Sequence, residues 1–417
     1  MRKIVFFIWI LIFSFISADD VLIPMDHSQT DHLKAYGIAY WAVQNGAKVE
    51  WFLNYRGGSF LIEGYENVVR MCLTRGVSYE LITRSDYATI INEIEHSNMD
   101  AVSLEKAPTI AVYTPPYTQP WDDAVTMALT YAEIPYDTIY DREILEGSLS
   151  EYDWLHLHHE DFTGQYGKFY ASYSNTDWYI EQVRTQERQA RDLGFSKVSK
   201  LKLAVVLRIK QYMLDGGFLF AMCSATDTFD IALAAAETDI CGPMYDGDPA
   251  DPAAQSKLDF SRCIAFQDFT LEMNPMIYEY SDIDMTDYIN RNVDERNDYF
   301  TLFDFSAKFD PIPSILTQNH TRLIKGFFGQ TTAFKRSLIK PEVVIMGDVQ
   351  GTEIVKYIYG TVGEGFFTFY GGHDPEDHKH FVGDPPTELE MHKNSPGYRL
   401  ILNNILFPAT DKQKQKT

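Results

Sequence analysis

The sequence predicts an α/β protein built on a doubly wound, mostly parallel sheet, and three observations carry that expectation. Short apolar runs closed by turn residues alternate with longer stretches of helical spacing. Residues 216–236, GGFLFAMCSATDTFDIALAAA, read as strand, tight turn and helix. Polar residues also gather just after three predicted strands, where ligands sit in such sheets.

Taken in order, the chain opens with Arg2 and Lys3 ahead of an apolar run, then Ser17, Ala18 and two aspartates. This is the layout of a secretory leader over 1–18, cleaved after Ala18, and it predicts a periplasmic or secreted protein. An N-terminal α/β unit follows over 19–105, with strands at 21–24, 48–53 and 78–82 and helices at 31–44 and 65–74. That rhythm predicts a parallel sheet, with Gly57-Gly58 as a plain turn.

A second unit begins at 106–241 and is completed by 342–408. Its strands are expected at 109–113, 136–140, 152–158 and 218–222, and its helices at 120–133, 198–214 and 226–236. In the first of those helices Pro120 stands at the start, with Asp122 and Asp123 in the first turn. Between the halves, 242–341 breaks the pattern and predicts an inserted subdomain or cover. Regularity returns with a strand at 343–346, a hairpin of 353–359 with 365–370, and a closing helix at 398–406 before a polar tail at 409–417.

Charge narrows the partners. The chain of 417 residues carries 59 acidic against 36 basic side chains, a net charge of −23. Such a surface repels nucleic acid and anionic lipid, and no run after the leader approaches the length of a membrane span. A small-molecule or glycan substrate is expected instead, and the oligomeric state is left open. Four cysteines suit an oxidising compartment, with Cys241–Cys263 one conceivable bridge.

Three strand ends carry the candidate chemistry: His158-His159-Glu160-Asp161, Cys223-Ser224, and His373-Asp374-Pro375-Glu376. Read as nucleophilic catalysis, Cys223 attacks, His373 takes its proton, and Glu376 or Asp374 orients the imidazole. His158, His159, Glu160 and Ser224 are then expected to contact substrate. The acidic neighbours Glu160, Asp161, Asp227 and Asp230 work against a thiolate. Read as metal binding, His156 and His158 share one side of a strand and join His373, a donor set suited to zinc. Asp246, Asp248 and Asp251, and Asp282, Asp284 and Asp287, are loosely calcium-like, but solvated acidic loops explain them better. No organic cofactor motif is present.

The strand–Cys–helix segment and the later GGHDPEDH resemble the class I glutamine amidotransferase-like superfamily, and with the closing helix are similar to its trehalose-utilisation-like branch. Ala221 and Ala225 stand where that family's elbow has glycines, and His158-His159 stands where a glycine-rich oxyanion loop is usual. Over its whole length, including IPMDHSQTDHLKAYGIAYW and YDWLHLHHEDFTGQYGKF, the chain resembles exported bacterial proteins commonly labelled asparagine synthetase B. Asparagine synthetases begin with a cysteine after Met1 and carry a Ser-Gly-Gly loop for ATP. Here Arg2 follows Met1 and no such loop occurs, so the resemblance implies fold and export rather than that reaction. The expected function is a Cys-dependent amide or ester hydrolase on a small or glycan-linked substrate; the alternative is a non-catalytic or metal-assisted glycan-binding protein.

Overall fold

The computed structural model describes residues 20–285 and 294–411. The expected leader, Asp287 and residues 412–417 of the tail lie outside the described residues. The protein is a mixed α/β structure with two sheets among the described residues.

The first sheet holds β1 (Asp20–Ile23), β2 (Val49–Leu53), β3 (Ser59–Ile62), β4 (Glu80–Ile82) and β5 (Asp100–Leu104), in the order β4-β1-β3-β2-β5. Every pairing in it is antiparallel, which corrects the parallel sheet expected from the βαβ rhythm. The reason lies between β2 and β3. Asn54, Arg56, Gly57 and Gly58 all take positive φ, folding the chain straight back into a strand that the glycine pair had disguised as loop.

The second sheet comprises β6 (Ile110–Tyr113), β7 (Asp137–Ile139), β8 (Trp154–Leu157), β9 (Phe218–Met222), β10 (Tyr299–Leu302), β11 (Leu323–Lys325), β12 (Phe334–Lys335), β13 (Val344–Asp348), β14 (Ile354–Val362) and β15 (Gly365–Tyr370). A parallel block, β7-β6-β8-β9-β15, forms one half. Antiparallel β14, β13, β10 and β11 extend it, and β12 pairs with β14. The segment 242–341, expected as an inserted subdomain or cover, supplies β10, β11 and β12 to the main sheet.

Alternation along the parallel strands builds a core on each face. Ile110, Val112, Phe218 and Phe220 pack against helices Ala124–Ala132 and Pro396–Leu406, and through them against helix His32–Gln44 of the N-terminal unit. Ala111, Tyr113, Leu219 and Ala221 face helices Val198–Leu214 and Ala225–Ala234 on the other side. Arg399, fully buried, ties the closing helix to the N-terminal unit by donating to the carbonyls of Met25 (3.0 Å) and Gly57 (2.7 Å), to Tyr36 Oη (3.3 Å) and to His320 Nδ1 (3.0 Å).

No described helix is long and apolar enough to cross a membrane. All four cysteines are buried free thiols, so the Cys241–Cys263 bridge does not form. Instead Cys241 Sγ donates to the Thr163 carbonyl (3.2 Å) and Cys263 Sγ to that of Asp230 (3.4 Å). The first calcium-like loop is neutralised internally: Lys197 Nζ lies 2.6, 2.9 and 2.6 Å from Asp239, Asp246 and Asp248, and Lys257 pairs with Asp251. In the second, Lys335 pairs with Asp282 at 3.2 Å and Asp284 accepts the Thr332 N–H.

Candidate active site

The carboxyl ends of β8, β9 and β15 lie side by side, because β9 is paired in parallel with both neighbours. β9 ends at Met222, Cys223 turns the chain, and Ser224 takes the N-cap position, without a side-chain cap bond, of a helix that starts at Ala225. Cys223 takes φ +52°, left-handed backbone that costs a non-glycine residue on the order of 1–3 kcal/mol. Surrounding contacts hold it there. Its N–H donates to the Gly372 carbonyl (3.2 Å), its carbonyl accepts Thr226 Oγ1 (2.7 Å), and the Ala225 N–H donates to the His158 carbonyl (3.1 Å).

A loop before β12 closes over this turn. The Gln330 N–H donates to Cys223 Sγ at 3.3 Å, and the Gln330 side chain donates to the Gly167 and Tyr278 carbonyls (2.7 and 3.2 Å). The N–H groups of His373 and Gly372 donate to the carbonyls of Phe328 (2.9 Å) and Thr331 (2.8 Å). Only glycine fits at 329, where a Cβ would come within 2.7 Å of the His373 nitrogen. Lys356, buried beneath the loop, donates to the carbonyls of Phe327 (2.7 Å) and Thr332 (2.6 Å), and burial lowers its pKa to about 7.

Cys223, His159, His373 and His380 open into one cavity of about 400 Å³, lined also by Gln330 and Lys379 and by the aromatic side chains of Trp121, Phe169, Tyr173, Tyr278, Phe328 and Phe381. Burial pushes the Cys223 thiol up to about 11, against the opposing pull of backbone N–H groups of Gln330, Ser224 and Thr331. Burial also holds His373 well below the usual histidine range, helped by His158 and His380. The pair at neutral pH is thus a thiol and a neutral imidazole. His373 Nε2 lies 3.1 Å from Asp122 Oδ1 and its ring stacks on His380 at 3.8 Å between centroids.

The expected acids are elsewhere. Glu376 pairs with His392 at 3.0 Å, and Asp374 accepts from Tyr398 Oη and Thr387 Oγ1 (both 2.8 Å), which fixes the closing helix. Asp122 takes their place at His373, since the helix expected from 120 begins only at Ala124 and leaves the two aspartates on the strand-end loop. Of the four expected substrate contacts, His159 lines the cavity. His158, Glu160 and Ser224 are buried behind it; Glu160, raised by burial to about 7, accepts the His158 N–H at 2.8 Å.

The expected metal set is spread over overlapping groups. His156 and His158 converge on Asp123, His158 and His373 meet at His159, and His373 also sits with Asp122 and His380. Sequence reasoning missed Asp122, Asp123 and Gln330 as site residues; His380 belongs to the histidine tracts read as possible metal donors. The one available signal was a pair of aspartates following the first strand of the parallel block.

A scan against protein-family models found no match, and neither did a search of curated proteins. Among solved structures, the chain is similar at 10% identity to the cytoplasmic protein STM3548 from Salmonella typhimurium, with TM-score 0.34, covering 72% of this chain and 98% of that one. It is likewise similar at 10% identity to the cytoplasmic protein STM1381 from Salmonella typhimurium LT2, with TM-score 0.35 and coverage of 73% and 99%. The reading of the site rests on its own geometry.

Proposed function

We propose that this protein is a cysteine hydrolase of amides or esters, with Cys223 as nucleophile, His373 as general base and Asp122 orienting the imidazole. The observation that carries the reading is Cys223 on a left-handed strand-to-helix turn, its sulfur receiving a backbone N–H and facing the cavity that His373 enters. A proton on Nε2 of His373 donates to Asp122, leaving Nδ1 basic. His373 then takes the thiol proton as Sγ bonds to the substrate carbonyl carbon. Collapse of the tetrahedral intermediate breaks the C–N or C–O bond, and His373 returns the proton to the leaving amine or alcohol. Water, activated by the same imidazole, releases the acid and regenerates the thiol. Backbone N–H groups of Gln330, Ser224 and Thr331 surround the sulfur and are the donors this reading assigns to the developing negative charge.

The fold reading follows the same lines. Numbered within the parallel block, the strand order is 2-1-3-4-5 with helices on both faces, an order known in doubly wound sheets, and this supports the amidotransferase-like class. The aromatic walls favour a substrate with a sugar or similar ring and give a second reading, glycan binding without turnover, its own support. Export through the leader belongs to the proposal and is tested by sequencing the N-terminus of the mature protein.

Cys223→Ala separates the two functional readings. Under the hydrolase reading it removes turnover of amide and ester substrates, by at least about a thousandfold, with the melting temperature nearly unchanged. Undiminished turnover in Cys223→Ala overturns that reading; glycan binding by wild type without any turnover favours the second.

A further inference from the structure

Behind the cavity, at the end of β8, His156 and His158 project from the same side of the strand onto one carboxylate oxygen. His156 Nε2 and His158 Nδ1 each lie 3.3 Å from Asp123 Oδ2. The other oxygen, Oδ1, caps helix Ala124–Ala132 by accepting the N–H groups of Val125 (2.8 Å) and Thr126 (2.9 Å). The three ligand atoms all lie within 4.8 Å of one another.

Both rings have their far nitrogen assigned by an acceptor-only partner. His156 Nδ1 lies 3.2 Å from the Phe220 carbonyl and His158 Nε2 3.1 Å from the His373 carbonyl, so each of those nitrogens carries hydrogen. Their inward nitrogens are completely buried, and both face the same Asp123 oxygen at 3.3 Å. With hydrogen already on the far nitrogens, two imidazole lone pairs and a carboxylate oxygen thus converge, and only an added proton or a cation can join them. An arrangement of that kind is costly when bare, because buried polar atoms left unpaired forfeit their hydration.

We propose that Asp123, His156 and His158 form a binding site for a divalent cation of the zinc class. The spacing fits: ligands about 2.0–2.1 Å from a tetrahedral ion stand about 3.3–3.4 Å apart, the separation seen from Asp123 to each ring. Backbone carbonyls behind both rings supply the outer hydrogen bonds that fix the tautomer of a ligating histidine. The bound ion joins the start of helix Ala124–Ala132 to the end of β8, and through His158 it braces the His373 backbone on the cavity floor. This site is independent of any reaction at Cys223.

The test uses full-length protein stripped with a chelator, incubated with ZnCl2, desalted and measured for metal content and melting temperature, with Co2+ absorption as a geometric readout. About one Zn2+ per chain, a raised melting temperature and tetrahedral Co2+ bands are expected. Asp123→Asn preserves the helix cap while removing the ligand charge, and His158→Gln removes one ring; each weakens affinity by at least about a hundredfold. Cys223→Ala retains the ion, so failure of the hydrolase reading and failure of this one are distinguishable. No zinc retained by folded wild type, or zinc retained by Asp123→Asn and lost in Asp122→Asn, overturns the proposal; the first leaves a proton between His158 and Asp123, the second places the ion at the neighbouring Asp122, His373 and His380.

Discussion

Two buried polar regions of this molecule are built to opposite rules. Around Arg399, a guanidinium with no exposure has its donors matched to two carbonyls, a hydroxyl and a ring nitrogen, and it joins the N-terminal unit to the closing helix. At the ends of β8, β9 and β15, five histidines stack or abut, two of their ring nitrogens crowd one carboxylate oxygen at 3.3 Å while His380 Nε2 lacks a hydrogen bond, and a cysteine takes left-handed backbone. A satisfied network specifies and stabilises a fold, whereas groups left unsatisfied in the interior point to chemistry or a ligand. The difference teaches that burial of charge is no guide to function; the state of the partners is.

Substitutions that break one region should leave the other working. Asp122→Asn at the histidine end should lower kcat by about 10²–10⁴-fold, through loss of imidazole orientation, while denaturation midpoints move little. Glu376→Gln, bonded to His392 instead, serves as the control with near wild-type kinetics. Arg399→Leu should do the reverse, costing about 3–5 kcal/mol in urea denaturation with Cys223 still reactive in the folded fraction.

Asp227 sharpens the comparison. It is fully buried beside the turn, its Oδ1 accepts Thr331 Oγ1 at 2.8 Å, and its Oδ2 has no hydrogen-bond partner. Burial raises its pKa from 3.8 to about 7. A carboxyl raised on folding costs nothing below its unfolded pKa and destabilises progressively as pH climbs to the folded value. Asp227→Asn should therefore match wild type near pH 4 and exceed it above pH 7 by a few kcal/mol, read from urea midpoints across that range.

Much of the parallel block was legible because its signals are local. Residues 198–214 and 218–222 read as helix and strand from periodicity alone and are found there as Val198–Leu214 and Phe218–Met222. Cys223, His159 and His373 were likewise visible as polar residues at strand ends. What could not be read depended on contacts distant in sequence. Asp122 meets His373 across 251 positions and Gln330 meets Cys223 across 107, and nothing in either neighbourhood announces the other. The antiparallel N-terminal sheet was hidden by the positive-φ turn at 54–58, since helix and strand spacing alone does not reveal strand direction.

The central claim, that Cys223 is the nucleophile, is tested most directly by treating folded protein with a limiting thiol-directed electrophile and locating the adduct by mass spectrometry. All four cysteines are buried, but Cys223 alone among them opens to the described cavity, which His373 also lines. The account predicts that Cys223 is labelled first, that the rate rises with pH toward its thiol pKa of about 11, and that His373→Gln slows labelling at neutral pH. Labelling of Cys72, Cys241 or Cys263 ahead of Cys223 in folded protein, or a Cys223 rate unchanged by His373→Gln, would contradict it.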